Sequence, residues 1–232
     1  ENFILKVVQL GELLAIRHCV FTMGPPGAGK SSTWKTLGKA NDIDGKKTTI
    51  VDLNPKVVST NELYGVVHMQ AREWIDGLMS STMRRLGSIP DTNPKWIILD
   101  GDLDANWIES MNSTMDDNRL LTLPSNERIR LLPHMKLIFE IRNLKFATPA
   151  TATRAGIVYV SEKLQWYNMI QSWIKRVVPE YAVKAKWKNP ELPSKYILEL
   201  VDKYVPKTIF EMKKSYKHIT PLATMNFKNQ FR

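Results

Sequence analysis

The chain has 232 residues, 43% hydrophobic and 24% charged, with a formal net charge of +10. That length suits one large domain, or a main domain with a small appendage, and the composition is ordinary for a globular fold. No apolar run approaches the ~20 residues of a membrane-spanning helix, and a single cysteine, Cys19, excludes an internal disulfide.

The chain starts at Glu1 and enters a helical pattern almost at once, without a signal or transit peptide, so it reads as a segment of a longer polypeptide. Ile4, Val7, Val8, Leu10, Leu13 and Leu14 recur at helical spacing and predict a helix over residues 3–14. A short apolar strand follows at 19–23. Cys19 lies within it and is expected to be a buried, inert thiol, in keeping with a reducing, cytoplasmic compartment. A glycine-rich turn at 24–29 leads into a helix over 30–39. Further strands are predicted at 48–53, 96–100, 137–141 and 157–160. Their alternation with helical stretches argues for an α/β fold, a five-stranded parallel sheet with helices on both faces. The third and fifth strands are nearly continuous apolar runs, as burial on both sides demands.

Two stretches interrupt a minimal sheet of this kind. One is 64–76, inside an otherwise helical region. In the other, 120–131, two partly alternating arms flank Pro124-Ser125-Asn126-Glu127, the pattern of a β-hairpin. Beyond Val160 the character turns helical, at 164–178 and 193–210. The chain is therefore divided into a large α/β part, 1–160, and a small helical part, 161–232, whose completeness the end at Arg232 leaves open.

Gly24-Pro25-Pro26-Gly27-Ala28-Gly29-Lys30-Ser31 fits G-x-x-x-x-G-K-[ST] and sits between a strand and a helix, the context that a P-loop requires. Glycines let backbone N–H groups curl around phosphate oxygens, and the following helix directs its positive end at them. Lys30 reaches the β- and γ-phosphates, and the Ser31 hydroxyl is a ligand for Mg²⁺. An accidental glycine turn is the alternative, but two glycines at this spacing occur at only about 0.5% of positions, before Lys and Ser are required. The second acid that a P-loop needs is Asp100, after Trp96-Ile97-Ile98-Leu99, where it can hold Mg²⁺ through water. The expected nucleotide-binding set is Gly24, Pro25, Pro26, Gly27, Ala28, Gly29, Lys30, Ser31, Ser32 and Asp100, with ATP and Mg²⁺ as the cofactors.

The basic excess has a bland explanation beside this site. Lysines are spread along the chain, the densest stretch (184–188) is short, and no DNA- or RNA-reading motif accompanies it, so neither nucleic acid nor a membrane is expected as partner. His18, His68, His134 and His218 show no zinc-ligand spacing. The seven tryptophans, and Met111 with Met115 at helical spacing, read as packing residues.

The P-loop, together with Leu53-Asn54-Pro55-Lys56, Asn61-Glu62-Leu63-Tyr64-Gly65, Glu73-Trp74-Ile75-Asp76-Gly77-Leu78, the run from Trp96 to Asp104, Trp107-Ile108-Glu109-Ser110, Met115-Asp116-Asp117-Asn118 and Ala147-Thr148-Pro149-Ala150-Thr151, resembles the second AAA+ module of dynein heavy chains, of axonemal rather than cytoplasmic type. The resemblance implies a P-loop NTPase AAA+ fold with a helical lid, and a six-module ring in one polypeptide that moves along microtubules. It also implies neighbouring AAA+ modules and the dynein linker as partners, and a place in the cytoskeleton of a cilium or flagellum. The interruptions at 64–76 and 120–131 would be inserts that contact the linker.

AAA+ ATPases usually carry a glutamate directly after the strand-end aspartate. Here that position is Gly101, in Asp100-Gly101-Asp102-Leu103-Asp104, and Asp102 and Asp104 are shorter, shifted substitutes. General-base catalysis typically supplies about 10²–10⁴-fold, so ATP binding with little or no turnover is expected. An active ATPase using Asp102 or another acid is the alternative, and a nucleic-acid-directed P-loop protein a third reading. Arg154, just before the fifth strand, stands where AAA+ rings place an arginine finger that acts in trans on the preceding module. A surface or capping arginine is the plainer account. Glu140 and Asn143 are both candidates for the polar sensor position on the fourth strand, and Phe3 or Ile4 for the adenine pocket.

Overall fold

The computed structural model describes residues 2–161, 165–186 and 191–215. The chain divides into two compact units, at Val160 except that Pro25–Ala28 groups with the second unit.

In the first unit, helix α1 (Asn2–Ile16) precedes strand β1 (Cys19–Met23), and helix α2 (Lys30–Ile43) precedes β2 (Thr49–Leu53). Then come α3 (Thr60–Tyr64), strands β3 (Gly65–Val67) and β4 (Trp74–Asp76), α4 (Leu78–Ser88) and β5 (Lys95–Asp100). Short helical turns follow: α5 (Ala105–Ile108), a 3₁₀ turn (Glu109–Met111) and α6 (Asn112–Met115). Strands β6 (Leu120–Thr122), β7 (Arg128–Arg130) and β8 (Met135–Ile141), helix α7 (Pro149–Arg154) and β9 (Gly156–Tyr159) complete the unit.

Five strands form one sheet in the order β2-β5-β8-β1-β9. All its pairings are parallel, so every strand ends at the same edge. Side chains alternate between the faces. On one face Phe21, Ile97, Leu99, Leu137 and Phe139 are buried against Leu63, Met79, Met83, Leu86, Trp107 and Met111. The rings of Phe21 and Phe139 meet edge-on at 5.0 Å between centroids, and Trp107 stacks on Phe139 at 6.1 Å. On the other face Val20, Trp96, Ile98, Ile138 and Val158 are equally buried, and Leu10 and Leu14 of α1 and Trp34 of α2 are buried too. Coverage on both faces explains the unbroken apolar run of β5; β9, the other strand expected to be covered on both sides, lies at the sheet edge with Ile157 41% and Tyr159 50% exposed. This is the α/β sheet with two helical layers read from the sequence. Met111 and Met115 are core residues, as their spacing suggested.

Boundaries shift for local reasons. β5 begins at Lys95, a lysine that the sequence left outside the strand. Its ammonium is buried because it donates to Asp91 O at 2.6 Å and Asp91 Oδ1 at 2.8 Å. β9 starts and ends one residue earlier than expected, at Gly156 and Tyr159. The stretch 120–131 is the expected hairpin, with Leu121 opposite Ile129. The stretch 64–76, read only as an interruption, is a second antiparallel hairpin that pairs Val66 with Ile75.

The second unit holds two helices, α8 (Gln165–Lys184) and α9 (Glu191–Ser215), each with an internal proline, Pro179 and Pro206. Ile174, Val178 and Ala182 form the buried stripe of α8 at helical spacing. Both helices run past the expected ends at 178 and 210. Leu164, Trp187, Lys188 and His218 lie outside the described residues. Among the described residues no helix is long and apolar enough to cross a membrane.

Candidate nucleotide site

The site is built at the edge where β1, β2, β5 and β8 end, the side on which open α/β sheets bind ligands. Gly24 leaves β1 with its N–H donating to Ile141 O at 3.1 Å. The turn then needs two left-handed residues, met by Gly27 (φ 77°) and Gly29 (φ 98°), a conformation that side chains with a Cβ resist. Pro25 and Pro26 fix φ and remove two N–H donors ahead of that bend. Helix α2 starts directly at Lys30, and no side chain caps its first turn. Its positive end therefore faces the turn. Lys30 folds back across the loop, its Nζ donating to Gly24 O at 3.0 Å.

Ser31 Oγ donates to Glu140 Oε1 at 2.6 Å, and Trp34 Nε1 donates to Glu140 Oε2 at 3.0 Å. Register puts Asp100 of β5 directly opposite Glu140 of β8. Side-chain alternation places Asp52 of β2 on the same face. These like charges feel one another. Burial, then Glu140 and Asp52, push the Asp100 carboxyl above its usual range, while Lys30 pulls it back. Burial and then Glu140 do the same to Asp52, opposed by Lys35. Ser32 of the motif is exposed on the first turn of α2.

The donor set suits a hard divalent cation: a hydroxyl on Ser31 and a carboxylate on Asp100, beside two more acids that carry negative charge. Among the described residues no three acidic, histidine or cysteine side chains form a metal cage. Mg²⁺ commonly keeps several waters and takes one or two protein oxygens together with phosphate oxygens.

After Asp100 the chain continues through Gly101, Asp102, Leu103 and Asp104. Gly101 offers only backbone, its N–H donating to Glu140 O at 3.2 Å. A Cβ there would meet Asn54 Oδ1 and Pro55 Cδ at 3.4 Å, ordinary contact, so the position has room for a side chain. Asp102 Oδ1 accepts the Arg142 N–H at 2.8 Å, and Asp104 Oδ1 caps α5 by accepting the Asn106 N–H at 3.0 Å. Both substitutes considered from the sequence are thus engaged by the backbone.

Of the two sensor candidates, Glu140 is in the site. Asn143 is exposed and accepts the Lys145 N–H at 3.0 Å. Ile4 is 65% exposed on α1. Arg154 ends α7 and leads into β9, at the sheet edge opposite the P-loop lysine and serine, so it does not join this site. Its guanidinium Nε pairs with Asp116 Oδ1. That pairing spans 38 residues and has no sequence signal.

A family model described as an AAA domain (dynein-related subfamily) matches residues 19–155. The chain is 63% identical over 240 aligned residues to the dynein alpha chain of the flagellar outer arm of Chlamydomonas reinhardtii, covering 98% of the chain and 5% of that protein. It is 47% identical to the ciliary dynein beta chain of Tripneustes gratilla and 46% identical to dynein axonemal heavy chain 9 of Homo sapiens, covering 96% of the chain and 5% of each relative. The chain therefore spans about 5% of the length of these relatives. Together with the P-loop and the five-stranded parallel sheet, these matches establish that the chain belongs to the dynein-related subfamily of AAA domains, with homologues among axonemal dynein heavy chains.

Proposed function

We propose that the chain is the second AAA+ module of a dynein heavy chain and binds ATP with Mg²⁺ without hydrolysing it. In this reading residues 1–160 are the nucleotide-binding subdomain and 161–232 the helical lid. The module serves a structural and regulatory role in the ring of a microtubule motor, in the axoneme of a cilium or flagellum. Its partners are the neighbouring modules of the same heavy chain and the linker, and other parts of the chain meet the microtubule.

One observation carries the non-hydrolysing part. Gly101 occupies the place of the base, and Asp102 and Asp104 hold backbone N–H groups instead. The residues that remain bind. Gly27 and Gly29 offer main-chain donors, Lys30 its ammonium, and Ser31 and Asp100 the metal-facing oxygens. Mg²⁺, when bound, neutralises triphosphate charge. At the position directly after Asp100, Gly101 has no side chain to take a proton from an attacking water.

Two measurements test the reading. Denaturing the intact heavy chain and identifying the nucleotide released should give ATP from this site, absent in the Lys30→Ala chain; ADP there would favour the active-ATPase alternative. Gly101→Glu, whose Cβ meets only ordinary contacts at 3.4 Å, should raise phosphate release from a module that lacks only its base. No gain in turnover, with nucleotide still bound, would mean that more than the base is missing.

Arg154 is proposed as the finger donated to the preceding module. It would have to exchange Asp116 for a phosphate across the module boundary. Arginine fingers are worth about 10³–10⁵ in rate in GTPases, so Arg154→Ala should slow hydrolysis in the preceding module strongly. Unchanged turnover would remove the role.

A further inference from the structure

Glu140 is an unusual neighbour for a P-loop serine. It is 7% exposed, and both of its oxygens are used, one by the Ser31 hydroxyl and one by the Trp34 indole. Both partners are neutral. After burial, the Glu140 carboxylate is the next cause that pushes its neighbouring carboxyls above their usual range. Those neighbours are Asp100, directly opposite in register, and Asp52 on the same face. The cations acting on this group are Lys30, on Asp100, and Lys35, on Asp52. Lys30 and Lys35 thus face four carboxylates, Asp52, Asp100, Asp102 and Glu140, at the place where a triphosphate brings further negative charge.

The hydrogen bond has a second effect. A serine hydroxyl has one proton and two lone pairs. Because Ser31 spends its proton on Glu140, its lone pairs are turned away from that carboxylate, the orientation a metal ligand needs. The same two bonds tie the first turn of α2 to β8, so the hydroxyl is held rather than free to rotate.

We propose that Glu140 is a positioning residue that makes nucleotide retention at this site depend on Mg²⁺, by orienting the Ser31 oxygen and by charging the strand ends against a metal-free triphosphate. This rests on the reading of the site as an ATP site. A purely structural Glu140 would change retention equally with and without metal. A charge-setting Glu140 changes the ratio between the two conditions.

The test uses the intact heavy chain loaded with ATP, with the Lys30→Ala chain as the blank for nucleotide held elsewhere. Release is followed in excess Mg²⁺ and in EDTA. The unsubstituted chain should lose nucleotide from this site at least tenfold faster in EDTA, and Glu140→Gln should shrink that ratio by about tenfold, the effect of removing one nearby unit charge. Trp34→Phe, which removes one hydrogen bond and leaves the charge, should keep the ratio. Glu140→Gln with the unsubstituted ratio overturns the proposal. So does unsubstituted chain whose retention ignores EDTA, a measurement that needs no variant to fold. If Lys30→Ala removes no nucleotide at all, the ATP-site reading itself fails, which is a different result from either.

Discussion

The two inserted hairpins have strands of equal length and opposite construction. In β6–β7 the alternating residues Leu121, Leu123, Ile129 and Leu131 are all buried in the main core. In β3–β4 Trp74 touches the core, but most of the apolar surface faces outward: Val67 is 40% exposed, Ile75 50% and Met69, in the loop between the strands, 92%. The first hairpin is held by what it buries. The second is held at its base, where Gly65 (φ 111°) and the Tyr64 hydroxyl, donating to Trp107 O at 2.5 Å, set the chain direction. Arg84 of α4 joins the two. Its Nη1 and Nη2 donate to Glu127 in the β6–β7 turn at 2.5 and 2.6 Å, and its Nε lies 3.2 Å from Asp76 of β4. A hairpin can therefore be a piece of core or a projection clamped at its root, and the same fold uses both.

The contrast can be broken from either side. The largest effect is expected from Leu121→Ala, which leaves a cavity in the core and should cost about 2–5 kcal/mol in denaturant unfolding; a loss below 1 kcal/mol would show that β6–β7 is not held by its buried face. Gly65→Ala comes next. Its Cβ would fall 2.3 Å from the Trp74 ring and 2.6 Å from Ile75 O, at a φ that alanine rarely adopts. A cost of about 1–3 kcal/mol is expected from that strain, with faster hydrogen exchange confined to β3–β4. Exchange spread evenly over the unit would contradict clamping at the root.

Arg84→Ala should act more weakly, loosening both hairpins at once, because the pairs it removes are exposed and screened. Acid gives the same result without a mutation. Hydrogen bonding from Arg84 holds the Glu127 carboxyl below its usual range. Asp76, although burial opposes it, is also held low by bonds from Trp74, Ser80 and Arg84. A carboxyl with a depressed folded pKa contributes stability above its ordinary value of about 4 and loses it as pH falls through the depressed one. Hairpin exchange, relative to the intrinsic rate, should therefore accelerate below about pH 4, and less so in Arg84→Ala, where Trp74 and Ser80 still hold Asp76 low. The smallest effect is expected from Met69→Ser, within about 0.5 kcal/mol, as for other exposed positions.

The same contrast explains what the sequence revealed. Leu121, Leu123, Ile129 and Leu131 alternate because one face is buried, so β6–β7 was legible. Val66-Val67 and Trp74-Ile75 are too short and too exposed to show a period, and their pairing is set by Gly65 and by contacts distant in sequence. The box Ser59-Thr60-Asn61-Glu62, in which Ser59 Oγ accepts the Glu62 N–H at 3.3 Å and Glu62 accepts the Ser59 N–H at 2.8 Å, was a readable start for α3 that periodicity alone missed. At the candidate site, the P-loop and Asp100 were legible because phosphate chemistry fixes residue types at fixed spacing. Choosing Glu140 over Asn143 required the register of β5 on β8, and Asp116 beside Arg154 required the tertiary fold. Sequence patterns report local geometry and burial; pairings across strands report only once the sheet is assembled.

The lone thiol has a practical consequence. Cys19 lies at the start of a central strand with no exposed surface, and burial raises its pKa far above the range in which a thiolate forms. A thiol-reactive dye has nothing to label while the sheet is closed. Labelling rate then becomes a native clock for opening of the central β-sheet, readable in this chain without engineering a probe into it.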